Sequence, residues 1–328
     1  MDAVLNCLVD ETVGPGEYTE SLAKQMAAYL GLAGGVALRE YRRAVELAIE
    51  ASDLVPGDRV LVSALAPFVY GEIIERRGLV AEICDIEVET GNIPYEAFEK
   101  AAENETKLAI SISPFGIPPN SDIAHIASCT IIEDVSRSLG SKAGEAGNSG
   151  VSGRYIVVSL EEDGIVTSGG GALVLARSRR GLGNLRSIAD RLTGLSTLGN
   201  INASLATIQL KHIEEFTSRR RSIAEAYVKA LAPGHHRAPT SMEFETLSHV
   251  TFPVVLAGSQ KDAARYARSK GVATAPAFEN SIFVHQDLDG AKYPNAQALA
   301  MRSLLFPLYP MLKRDEVDRI AKVLRTLP

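Results

Sequence analysis

The chain has 328 residues, 46% hydrophobic and 23% charged, enough for one or two domains around substantial cores. A formal charge of −6 argues against a general nucleic-acid binder, whose phosphate contacts need a basic excess. No unbroken apolar run reaches membrane-spanning length, and Cys7, Cys84 and Cys129 are the only cysteines, so neither a membrane span nor a disulfide framework is expected.

The opening residues, Met1 to Cys7, lack the basic start and apolar stretch of a secretory leader, so a cytoplasmic location is expected. Tyr41–Ala51 then reads as an amphipathic helix. Apolar runs follow at Arg59–Ala64, Leu79–Ile86, Leu108–Ser113, Thr130–Val135, Tyr155–Leu160 and Ala172–Ala176, with a helical pattern at Tyr95–Glu103. Such alternation predicts parallel strands joined by crossover helices, in a sheet covered on both faces. Ile201 to Ala230 reads as one long helix, followed by a break at Pro233-Gly234. The remainder reads as a small α+β unit: a strand at Val250–Leu256, a helix at Gln260–Lys270, and a last helix capped by Asp315 and ending near Leu327.

Several short segments carry more specific information. Gly14-Pro15-Gly16 is followed by Leu22-Ala23 and Tyr29-Leu30-Gly31, then by Pro56-Gly57-Asp58-Arg59-Val60-Leu61-Val62. Asp85-Ile86-Glu87 precedes Thr90-Gly91-Asn92-Ile93, and a Pro114-Phe115-Gly116-Ile117-Pro118 turn precedes Ile132-Glu133-Asp134 with Leu139-Gly140. Near the end, Leu304-Leu305-Phe306-Pro307-Leu308-Tyr309-Pro310 leads to Asp315-Glu316-Val317-Asp318. In this order and spacing, over nearly the whole chain, these segments resemble the DegT/StrS-type sugar aminotransferase family, which uses pyridoxal phosphate (PLP). The resemblance implies the PLP-dependent transferase type I fold. Residues 1–200 would form a large α/β domain with a mostly parallel mixed sheet between helices. Residues 201–328 would form a linking helix and a small C-terminal α+β domain. It also implies a homodimer with its pocket near the subunit interface.

The family's cofactor contacts can be sought position by position. Asp134 falls where the family's Asp pairs with the pyridinium nitrogen; a strand-end Asp capping the next segment is the other reading. Ser159, Thr167 and Gly169-Gly170-Gly171 fit the segment that normally carries the Schiff-base lysine, but Gly164 stands at the lysine's position. No lysine lies between Lys142 and Lys211. Glycine can neither form an imine nor move a proton. The family's phosphate cup falls on Arg39–Val45, where Tyr41-Arg42 is too bulky for close backbone approach. Arg137 replaces a glutamine beside the ring, the stacking aromatic is displaced to Phe68, and Leu195-Ser196-Thr197-Leu198 replaces a segment that reaches the partner's site.

The expectation is therefore a retained scaffold with altered chemistry. No catalytic residue and no cofactor are assigned; PLP is the one the resemblance implies. Asp134 and Ser159, with Arg42, Arg137, Glu161 and Gly164, should line the pocket. There the charges form either a self-satisfied ion-pair network or an anion site for a phosphate, carboxylate or sugar nucleotide. A ligand- or partner-binding protein is the leading functional expectation. The alternatives are a PLP- or PMP-dependent sugar-nucleotide aminotransferase or dehydratase-like enzyme with a non-standard site, and a structural subunit pairing with an active paralogue. Arg219-Arg220-Arg221, beside Glu214 and Glu215, is expected to pair locally on a helix.

Overall fold

The computed structural model describes residues 2–10, 12–126, 129–142, 149–192, 194–239 and 247–328. Strands β1 (Gly34–Leu38), β2 (Arg59–Ser63), β3 (Val80–Cys84), β4 (Leu108–Ile112), β5 (Thr130–Asp134), β6 (Tyr155–Ser159) and β7 (Ala172–Ala176) form one sheet. Their order is β1-β7-β6-β5-β4-β2-β3, and β7 alone runs against its neighbours. The remaining pairs are parallel, which requires a crossover after nearly every strand. Helices α1 (Asp2–Val9) and α2 (Glu17–Tyr29) precede these strands, α3 (Tyr41–Glu50), α4 (Phe68–Arg76) and α5 (Tyr95–Glu103) fall between them, and α6 (Arg179–Ala189) follows β7.

The apolar strands are explained by burial on both sides. On β6, Tyr155 and Val157 join a core with Val45, Ile49 and Leu185, while Ile156 and Val158 join one with Leu22 and Met26. Three glycines let the chain turn back into β7: Gly169, Gly170 and Gly171 have φ of 73°, 127° and 103°, a region unfavourable to side chains. A Cβ on Gly171 would also come within 2.8 Å of the Leu38 carbonyl.

The expected single helix from Ile201 to Ala230 is two helices, α7 (Asn200–Lys211) and α8 (Ile213–Leu231). His212 interrupts them: its N–H donates to the carbonyl of Gln209, three residues back, and its ring stacks on Phe216. Ala203, Ala206 and Leu210 of α7 belong to the large sheet's core. Ile223, Ala224 and Tyr227 of α8 belong to the core of a second sheet of three strands, β8 (Phe252–Val255), β9 (Ala275–Pro276) and β10 (Ser303–Phe306), ordered β8-β10-β9. Helices α9 (Gln260–Ser269), α10 (Ile282–His285), α11 (Pro294–Arg302) and α12 (Arg314–Arg325) complete the chain. Lys313, not Asp315, is the N-cap of α12, and its N–H donates to the Glu316 carboxylate at 2.8 Å. Asp315 lies in the first turn, where its charge meets the helix dipole.

The arginine run on α8 does not pair locally. Arg220 is 6% exposed and donates to the carbonyls of His249, Val250 and Leu308, while Arg219 reaches Leu312 and Arg221 reaches Leu247. These bonds pin two short stretches, 247–250 and 308–312, onto the helix. His249 sits within this clamp at a φ of 51°. Burial, then the charges of Arg221 and Arg220, lower its pKa from 6.5 to about 4. The unfolded chain therefore takes up this proton at a higher pH than the folded one, so stability falls as pH drops from 6.5 towards 4. His249→Asn, which tolerates the positive φ, is expected to remove about 2 kcal/mol of that pH dependence, read from urea midpoints at the two ends of the window. An unchanged pH dependence would refute the assignment.

Candidate ligand site

A cavity of about 660 Å³ opens at the carboxyl ends of β4, β5 and β6, between the large sheet and residues 275–285 with Leu305. This is where open parallel sheets place ligands, because strand ends expose backbone and side chains without a crossing helix. Apolar walls come from Leu65, Phe68, Ile112, Phe278 and Leu305. The polar floor is built around Asp134, the last residue of β5, which is 5% exposed.

Asp134 is fully engaged by the protein itself. Tyr41, the first residue of α3, and Tyr70 of α4 both donate their hydroxyls to Oδ2, the latter at 2.8 Å. The N–H of Ser136 donates to Oδ1 at 2.9 Å, and the Ser136 hydroxyl donates to the same oxygen. A carboxylate offers about four lone-pair sites, and four donors fill them. The two rings meet edge to face, 6.4 Å apart at an interplanar angle of 83°. Burial first, then the Asp134 charge, pushes both phenol pKa values well above the usual range, so both remain donors.

Beyond β6 the hydrogen bonds continue as a relay. The Ser159 N–H donates to Ser136 Oγ at 2.9 Å, and the Glu161 N–H donates to Ser159 Oγ at 3.2 Å. Ser159 thus shapes the loop that carries Glu161 and Gly164 to the cavity wall. Gly164 is closely packed: a Cβ there would meet the carbonyl oxygens of Val166 at 2.9 Å and Glu161 at 3.2 Å. Among the described residues, no lysine lines the cavity.

The sequence expectation that Arg42 and Arg137 converge does not hold for Arg42. Arg137 lines the cavity and pairs with Asp163 at 3.0 Å. Arg42 is not among the lining residues; it makes a bidentate pair with Glu72 at 2.6 and 2.7 Å. Glu46, one turn further along α3, is ringed by Arg42, Arg43 and Arg76. Residues four apart on a helix share a face, so Arg42 also meets Glu46, at 3.7 Å. Phe68 lines the cavity as the sequence order suggested, but His285 stacks on its ring, with centroids 4.4 Å apart and planes at 12°. Tyr70, Ser113, Ser136, Glu279 and His285 carry no signal of the site in sequence: Tyr70 reaches it through its hydrogen bond to Asp134, 64 positions away, and the other four line the cavity.

The residues present do not fit PLP in this arrangement. Its ring nitrogen would need a lone pair of Asp134, and those sites are filled, one of them by Tyr41, which itself lines the cavity. Its aldehyde would need an amine in the cavity wall, where Gly164 is enclosed by carbonyl oxygens.

The sequence profile of the DegT/DnrJ/EryC1/StrS aminotransferase family matches residues 1–325. A pleiotropic regulatory protein of Geobacillus stearothermophilus is 24% identical over 335 residues, covering 94% of this chain and 90% of its own. A dTDP-4-dehydro-2,3,6-trideoxy-D-glucose 4-aminotransferase of Saccharopolyspora spinosa is 26% identical over 355 residues, covering 98% and 92%. Among solved structures, the PLP form of a putative sugar aminotransferase of Streptococcus pneumoniae superposes with a TM-score of 0.88 at 20% identity, covering 99% and 94%. The α/β fold with its mostly parallel mixed sheet is thus that of PLP-dependent sugar aminotransferases.

Two substitutions test this geometry. Tyr41→Phe should destabilise the chain by about 1.5 kcal/mol, the scale of a hydrogen bond to a charged group. Gly164→Ala should cost about 1–3 kcal/mol, because the added methyl meets backbone carbonyl oxygens. Chemical denaturation measures both, and wild-type midpoints for either variant would contradict the packing described.

Proposed function

Because the chain belongs to the DegT/DnrJ/EryC1/StrS aminotransferase family, we propose that it keeps the family's pocket and binds a small polar ligand there without forming a lysine imine. The observation that carries this reading is the filled Asp134 carboxylate, in a cavity whose lining residues include no lysine. The cavity remains large enough for a small molecule and combines apolar walls with a few convergent polar groups. The same reading takes the protein as a homodimer. The exposed apolar side chains of Leu5, Leu8 and Val9 on α1, with Leu195, suit a partner surface better than solvent.

A second reading has its own support. Family membership and the similarity to a sugar aminotransferase favour a PLP- or PMP-dependent sugar-nucleotide aminotransferase or dehydratase-like enzyme with a non-standard site. That reading requires Tyr41 to leave Asp134 and, for transamination, an amine from outside the cavity wall.

Titration of the purified protein with PLP, followed by borohydride reduction and intact-mass analysis, separates the two. The expected result is no saturable change in visible absorbance and no covalent adduct. An adduct on a lysine would overturn the proposal in favour of the aminotransferase. Saturable binding without an adduct would favour the dehydratase-like enzyme.

A further inference from the structure

Helix α6 turns its apolar stripe inward: Leu185 and Ile188 are buried in the core with Val45 and Ile49, and Leu182 packs against it. The other side carries Arg179, Arg180, Gly183 and Arg186, all exposed. Positions 179, 183 and 186 are four and three apart, so they lie in one row, and 180 stands beside 183 at a spacing of three. Two arginines therefore lie a turn before Gly183 and one a turn after it, with about 10 Å of helix axis between Arg179 and Arg186. None of the four lines the cavity. On α3 and α4, by contrast, Arg42, Arg43, Arg76 and Arg77 each pair with a glutamate. Arg179, Arg180 and Arg186 form no ion pair among the described residues, and Asp190, four positions after Arg186, does not pair with it. Three neighbouring guanidinium groups without a carboxylate repel one another, on a chain whose formal charge is −6, and carboxylates brought by a partner would offset that repulsion.

Gly183, between these arginines, points the same way. Proline apart, glycine is the poorest helix former, because it has the most backbone freedom to lose on folding. At Gly181 the fold supplies a reason for it, since a Cβ there would meet the Ala176 Cβ and the Ser178 hydroxyl at 3.4 Å. At Gly183 no heavy atom lies within 4 Å of the place a Cβ would take, and the backbone is helical. Nothing among the described residues therefore requires a glycine inside this helix. A bare stretch of backbone flanked by guanidinium groups lets another chain approach closely, which a side chain would prevent.

We propose that this face of α6 docks an acidic helix of a partner protein. The two helices cross at Gly183, and carboxylates two turns apart on the partner meet Arg179 and Arg180 at one end and Arg186 at the other. Guanidinium groups hold carboxylates through paired N–H bonds, which fixes direction as well as adding attraction. The separation of crossing helices is set by the side chains at the contact, so a glycine there brings the partner's carboxylates within reach of all three arginines. A nucleic acid fits less well, because its phosphates need many cations and would meet a chain of net charge −6.

Fluorescence anisotropy of the full chain with a labelled, alanine-based helical peptide tests this. The probe carries glutamates seven residues apart, the spacing of Arg179 and Arg186, with alanine between them. A control peptide of the same composition places its glutamates on opposite faces. At low salt the matched probe should bind about tenfold or more tightly than the control, and the preference should fade as salt is raised. Arg186→Gln should erase the preference. Gly183→Leu should weaken the matched probe by about tenfold or more, while its melting temperature equals or exceeds that of wild type, because leucine is the better helix former and the position is open. A merely solvated arginine face would bind the probe equally well with leucine at that position. Equal binding of matched and control peptides, a preference that survives Arg186→Gln, or wild-type affinity in Gly183→Leu would each overturn the proposal. So would a lower melting temperature in Gly183→Leu, which would make the glycine a requirement of the fold, or tighter binding of a short DNA duplex than of the matched peptide.

Discussion

The Asp134 carboxylate ties three elements together. Tyr41 opens α3, Tyr70 lies within α4, and Ser136 lies in the loop after β5, so one buried side chain ties both helices to the end of the central strand. A buried carboxylate needs donors, and its distribution of two to each oxygen meets that need without a cation. The floor of the cavity follows from this knot. With Tyr41 held on Asp134, the first turn of α3 presents a ring rather than bare backbone N–H groups to the cavity. The loop after β6 is then set by the relay from Ser136 through Ser159 to Glu161.

The charges that sequence alone brought into one group divide along the same line. Arg42 does not line the cavity but pairs with Glu72 and Glu46, joining Arg43 and Arg76 in a network along α3 and α4. Most of its members are substantially exposed, and such pairs contribute about 0–1 kcal/mol each. Glu46, mostly buried, is the member that needs its partners, because an unpaired carboxylate at that depth would be strongly unfavourable. Of the ion-pair and anion-site alternatives, the network describes Arg42. The anion site loses one of its two guanidinium groups, and the other already holds Asp163.

The large sheet was legible in sequence because burial on both faces imposes near-continuous apolar runs, and β2 and β4 to β7 fall within a residue or so of the runs read for them. Strand β1 was missed: it is five residues long, starts with two glycines and sits at the sheet edge, so it lacks that signature. The break at His212 was hidden because apolar spacing continues through it, the interruption being a change in backbone bonding. Arg219-Arg220-Arg221 read as a run that pairs locally with Glu214 and Glu215, since a charge run carries no mark of the distant carbonyls that receive it. The site was legible to a similar depth. Asp134 and Gly164 were located by motif, and Tyr41 was recognised by bulk. Its hydrogen bond to a residue 93 positions away had no local signal.

These features also make the site resistant to simple reversal. A lysine placed at 164 would bring a Cβ against two backbone carbonyl oxygens, so the loop from Glu161 to Val166 would have to open before the side chain could enter. Opening that loop disturbs the hydrogen bond from the Glu161 N–H to Ser159, and through it the bond from Ser159 to Ser136. Ser136 in turn supplies both donors to one oxygen of Asp134, and Tyr41 with Tyr70 supplies those to the other. Enclosed glycine, serine relay and filled carboxylate are therefore coupled by direct contacts. A change at one is opposed by the others, and the expected energies need not add when two are altered together.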